Sequence, residues 1–166
     1  MGAYELAKQL SVTGLDITVH DAIYARTERD PWIFYERGKE GFIVVTTDKL
    51  FMKSFPHMAA IALGKTTVLY FSNNNWKSKI RGDAFLAAKA AIMRALSERE
   101  IKPFIASIGM GGTFSIIEEK PRPTRKKCDP RDWESYRRVC EAEGIEPEGG
   151  QNEKDSKNNE TNAESA

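Results

Sequence analysis

Cysteine and histidine are scarce in this chain, with two of each in 166 residues. Cys128 and Cys140 both fall in the polar carboxyl-terminal region, where they cannot frame a disulfide-stapled core. With only His20 and His57 beside them, a zinc site is not expected. A surplus of charge of one sign is also missing. The 25 basic and 24 acidic residues leave a formal net charge of +1. No whole-molecule field therefore draws the chain to nucleic acid or membrane, and any electrostatic argument must be local. No apolar run approaches the length that spans a bilayer, and the amino terminus lacks the basic and apolar pattern of a signal peptide. A cytoplasmic protein that does not engage membranes is the expectation.

Hydrophobic residues at 40% suffice for one ordinary core. The most informative stretch is Gly41 to Lys49, a run of β-branched and aromatic residues that ends on an acid. It reads as a buried parallel strand presenting Asp48 at its carboxyl end, the end where open α/β sheets place their ligand sites. Around it the pattern predicts a helix over Ala3 to Leu10, a strand over Leu15 to Val19 and a loop from His20 to Arg29. Asp30-Pro31-Trp32 then starts a helix that runs to about Glu40. A short helix from Ser54 to Leu63, a strand from Thr66 to Phe71 and a long helix from Asp83 to Arg99 follow. Phe104 to Ile108 and Thr113 to Ile117 flank Gly109 to Gly112 and read as an antiparallel hairpin. The alternation predicts an α/β fold with a mostly parallel sheet sandwiched by helices and a carboxyl-terminal antiparallel hairpin.

Composition changes after residue 118. Lys120 to Lys127 is basic and broken by proline, Asp129 to Ala142 reads as a peripheral helix, and the rest is polar. The expected organisation is a domain over 1–118, a basic linker and helix over 119–143, and a disordered tail over 144–166.

Each candidate site residue has a plain structural role as its alternative. Asp48 either caps the turn after its strand or does chemistry, and Asp30 either caps its helix or faces a cation. A helix between them carries the chain along one layer and the strand brings it back, so both carboxylates can lie at one sheet edge. Acids brought together suit magnesium or manganese, which bind through oxygen and keep several waters. Asn73, Asn74 and Asn75 end the neighbouring strand, as turn formers or as contacts to a water or sugar. Gly109 to Gly112 precedes a strand rather than a helix and is not read as a phosphate cradle. Lys120 to Lys127 is either a solvated linker or a contact to a nucleic-acid backbone. His20 and His57 are isolated in the sequence and read as structural or merely exposed.

The segment Thr27-Glu-Arg-Asp-Pro-Trp-Ile-Phe-Tyr-Glu-Arg-Gly-Lys-Glu-Gly-Phe-Ile-Val-Val-Thr-Thr-Asp-Lys49 resembles the carboxyl-terminal half of a PIN-domain ribonuclease, and most closely the small PIN-like proteins grouped with VapC-type toxins. Lys102-Pro-Phe-Ile-Ala-Ser-Ile and the following Gly-Thr-Phe resemble the closing hairpin of that subgroup. The resemblance covers roughly Leu6 to Ile117. It implies a parallel sheet sandwiched by helices, and three or four acids that bind magnesium or manganese for in-line attack on an RNA phosphodiester. Carried over, Asp30 matches the helix-start acid and Asp48 the strand-end acid. Asp21 is a further metal candidate, and Thr47, Lys49 and Asn73 are candidate substrate contacts. RNA, an antitoxin protein and a second copy in a homodimer are the implied partners.

Nothing in the chain matches the family's first acid, carried on a strand that precedes the first helix and is central in the sheet. Its loss would leave a gap where pairing and burial should be greatest. The start lies upstream of Met1, a partner replaces the strand, or the chain is a degenerate, non-catalytic copy; an upstream start is the favoured expectation. A non-catalytic α/β module that binds RNA or a protein is the alternative function.

Overall fold

The computed structural model describes residues 2–12, 14–25, 27–98, 103–117 and 128–148. In chain order it contains α1 (Gly2–Ser11), α2 (Asp30–Lys39), β1 (Ile43–Thr46), α3 (Phe55–Gly64), β2 (Thr67–Phe71), α4 (Ser78–Glu98), β3 (Ile105–Ile108), β4 (Phe114–Ile116) and α5 (Pro130–Glu143). Proline lies in the first turn of α2, α3 and α5, where its fixed φ favours the helix and no amide is wasted. The carboxylate of Asp129 caps α5 by accepting from the Arg131 amide at 2.9 Å. Gly144, at φ 66°, closes the same helix in the left-handed conformation that glycine adopts without strain.

The sheet order is β1-β2-β3-β4. The first two pairings are parallel, with Val44 opposite Val68 and Val68 opposite Ile105. The last is antiparallel, with Ala106 opposite Ile116, and the Gly109 amide donates to Thr113 O at 2.7 Å across the connecting turn. The fold is thus α/β with a mostly parallel sheet and a carboxyl-terminal antiparallel pair.

Alternate side chains of β2 divide the core. Leu69 and Phe71 face α1 and α4, meeting Leu10, Phe85 and Ile92. Val68 and Tyr70 face the other way, towards Phe34 of α2 and Ile61 of α3. Helices therefore cover both faces, and β2, with four of its five residues buried, reads as the continuous apolar run such a position requires.

The two helices of the second layer approach closely at two glycines. A Cβ on Gly38 would stand 2.0 Å from Thr66 Oγ1 and 2.5 Å from Gly64 O, and one on Gly64 would stand 2.6 Å from Tyr35 O. Thr66 Oγ1 donates to Phe34 O at 2.5 Å. These contacts seat the middle and end of α2 against the end of α3.

Several sequence expectations need correction. Leu15 to Val19 forms no strand; among the described residues its single main-chain hydrogen bond is from the Ala22 amide to Val19 O. β1 is not buried on both faces. It is the outer parallel strand, and Ile43 and Val45 are each 39% exposed. The long helix starts at Ser78 rather than Asp83. α5 is not peripheral: Tyr136, Val139 and Cys140 are buried against Tyr35 and Ala60 in a third core cluster. The basic run Lys120 to Lys127 and most of the polar tail, residues 149–166, lie outside the described residues.

Beside β1 runs an apolar groove of about 510 Å³. Residues 15–19 form one bank and residues 41–45 the other.

Candidate functional site at the carboxyl edge of the sheet

α2 is ten residues long, and the chain returns along β1. A helix of that length spans about 15 Å, so the start of α2 and the end of β1 share the carboxyl edge of the sheet. Asp30 opens α2 and Asp48 lies two residues beyond β1. The turn after Asp48 is tied to α2 by Phe51, whose ring centroid is 5.6 Å from that of Phe34, one helical turn after Asp30.

Asp30 is the first helical residue, the N-cap position being held by Arg29. Its carboxylate is directed at α3. Asp30 Oδ2 is 3.8 Å from Nε2 of His57, and Nδ1 of His57 is 2.6 Å from Ser54 Oγ. The Ser54 hydroxyl in turn donates towards Cys128 Sγ at 3.6 Å. His57 is buried and meets Phe34 edge-on. The neighbouring imidazole, more than any other group, holds the Asp30 carboxyl below its ordinary range, against an opposing effect of burial. His57 and Ser54 are therefore not isolated, and sequence reading missed the contact. The spacing Ser54-x-x-His57 at a proline-marked helix start was the available signal, because residues three apart share a helix face.

Asp48 performs the turn-capping role. Its Oδ1 accepts from the Leu50 amide at 2.7 Å, while its own amide donates to Thr46 Oγ1 at 3.1 Å. The side chain remains exposed. Among the described residues, Oδ2 of Asp48 and Oδ1 of Asp30 meet no protein donor.

Asp21 accepts from or bonds with His20 Nδ1 at 2.6 Å on the rim of the groove. His20 also acts electrostatically on Asp30, so the His20–Asp21 pair lies within charge reach of the first carboxylate. Asn73 follows β2 and spends its Oδ1 on the Asn75 amide at 2.8 Å, which is the turn role. Thr47 is half-buried and Lys49 exposed.

Among the described residues, no group of three or more His, Cys, Asp or Glu side chains is arranged to hold a metal ion. Magnesium and manganese use one or two carboxylates and keep several waters, and carboxylate oxygen is the donor type that Asp30 and Asp48 offer. Nor, among the described residues, is any helix long and apolar enough to cross a membrane. The chain matches none of the family models, curated proteins or solved structures with which it was compared.

Proposed function

We propose that the chain is a PIN-like RNA endonuclease domain of the toxin type, dependent on magnesium or manganese, in a form whose acid set is incomplete or degenerate. The observation that carries this reading is the shared position of Asp30 and Asp48 at the carboxyl edge, each exposed and each with one oxygen not used by the protein. Bound there, the metal would lower the pKa of its water and offset charge on a phosphodiester. The chain's own part is to present two carboxylates: His57 holds that of Asp30 ionised, and the Leu50 amide fixes the position of that of Asp48. Asp21 is a third, outer ligand, and Thr47, Lys49 and Asn73 contact RNA. An antitoxin protein is the inhibitory partner, and a homodimer the working assembly.

RNA cleavage by wild type and by Asp48→Asn, purified in parallel, tests this. Manganese-dependent cleavage present in the first and absent from the second is the expected result; equal cleavage would assign the activity to a contaminant or another site.

A second reading has its own support. Both carboxylates already have structural work, Asp48 in a turn and Asp30 against His57, as they would in a non-catalytic module that binds RNA or a protein. In that case manganese would bind without dependence on either acid, or not at all.

A further inference from the structure

Nε2 of His57 faces Asp30 across a gap that neither group fills. Its separation of 3.8 Å from Asp30 Oδ2 is longer than a hydrogen bond, and among the described residues Nε2 makes no hydrogen bond. The His57 side chain is 9% exposed and that of Asp30 55%. A ring nitrogen so far withdrawn from water ordinarily has a partner. This one is aimed at a carboxylate.

The other edge of the ring decides what Nε2 carries. Nδ1 lies 2.6 Å from Ser54 Oγ, and the single hydroxyl proton of Ser54 is directed to Cys128 Sγ at 3.6 Å. Ser54 Oγ therefore accepts, and Nδ1 is the donor. In the neutral ring that leaves a lone pair on Nε2, pointed at Asp30. A lone pair and a carboxylate repel unless a proton or a cation lies between them. An imidazole whose second nitrogen donates to an oxygen on the protein is the arrangement by which metal-binding histidines are oriented. Phe34, edge-on at 5.9 Å, holds the ring against α2.

The gap suits an ion. Nitrogen and oxygen each about 2.1 Å from one metal stand about 3.0 Å apart at a right angle and about 3.4 Å apart at the tetrahedral angle. The present 3.8 Å closes to that range with a small rotation of the exposed Asp30 carboxylate. Two protein ligands make an open site whose remaining positions are filled by water from the Asp30 side, in keeping with the absence, among the described residues, of a cluster of three. Magnesium takes oxygen donors, whereas imidazole suits first-row transition ions. We infer that His57 Nε2 and Asp30 Oδ2 form the protein half of a site for a divalent first-row transition ion in preference to magnesium, with Ser54 orienting the imidazole. This deepens the proposed function, on whose assignment of Asp30 to a metal it rests, by naming a nitrogen ligand and the class of ion.

The test titrates zinc into the full chain carrying nitrogen-15 histidine and follows both ring nitrogens by NMR. Saturable binding should move the Nε2 resonance of His57, leave the proton on its Nδ1, and survive excess magnesium. His57→Gln and Asp30→Asn should each weaken zinc binding by about tenfold or more, and Ser54→Ala by about tenfold. Binding that leaves the His57 ring unmoved would overturn the inference, as would equal affinity in His57→Gln or displacement by equimolar magnesium. The ring resonances of the wild-type chain stand whether or not a variant folds. Metal binding that needs Asp30 and Asp48 but not His57 would overturn this inference and leave the nuclease reading intact. Zinc held by His57 and Asp30 in a chain that cleaves no RNA would support it and overturn that reading.

Discussion

Arg29, in the segment leading into α2, donates from Nε and Nη2 to Oδ1 of Asp132 on α5, at 2.9 and 2.7 Å. The two residues are 103 positions apart, and Asp132 is buried at 6% exposure. With Glu28 accepting from Arg138 at 2.9 Å and the Ser135 hydroxyl accepting from the Trp32 amide at 3.0 Å, this pair fastens α5 to the start of α2. α5 therefore braces the helix that presents Asp30.

Asp132→Ala should destabilise the fold by about 2 kcal/mol, because it removes two charge-assisted hydrogen bonds, whereas Arg29 is partly exposed and keeps Asp129 at 3.3 Å. Chemical denaturation measures it, and the double variant with Arg29→Ala should lose less than the sum of the two single changes. Additive losses would mean the pair is not coupled.

Acid should loosen α5 before it unfolds the sheet. The Arg131 guanidinium beside Asp129 holds its carboxyl well below the usual range, and Lys39 first, then the Tyr35 hydroxyl, lowers that of Glu143. Tyr35 is pushed up to about 12 by the same contact. Groups with depressed folded values contribute stability above their unfolded pKa and lose it as pH falls through the folded value. The contribution of these two carboxylates is therefore complete at neutral pH and lost on titration from about pH 5 to pH 2. The fluorescence of Trp133, stacked 5.6 Å from Phe55, should change over that window. Glu143→Gln should remove the upper part of the change; an unaltered titration would contradict this assignment.

Gly38→Ala should cost about 2 kcal/mol or more through overpacking, although alanine is the better helix former. The new methyl would meet Thr66 Oγ1 and the carbonyl of Gly64, a backbone atom that cannot swing away. Thermal unfolding with Gly38→Ala beside Gly41→Ala separates packing from backbone strain, since nothing lies within 4 Å of a Cβ at Gly41 and its φ of 80° penalises alanine for a different reason.

Local chemistry made the helix starts legible: Asp-Pro at residues 30–31 and 129–130 marks two helices, and the glycines after β3 mark the hairpin. Sequence could not report neighbours. Gly41 to Lys49 has the composition of a buried strand, yet burial depends on what lies to either side of β1, and on one side there is a groove. The same gap explains Leu15 to Val19, a stretch of good strand formers with no ladder to join. That the start of α2 and the end of β1 lie at one edge of the sheet was readable from the order of helix and strand. The engagement of Asp30 by His57 was not, because it depends on how α2 packs on α3 across Gly38 and Gly64.

Manganese titration of the wild-type chain beside Asp30→Asn and Asp48→Asn, followed by the loss of the free ion's paramagnetic resonance signal, tests the central proposal most directly. The account predicts saturable binding to wild type that weakens by about tenfold or more in each variant, with the helical circular dichroism of all three alike. Binding of equal strength in all three would contradict a metal site at the carboxyl edge of the sheet.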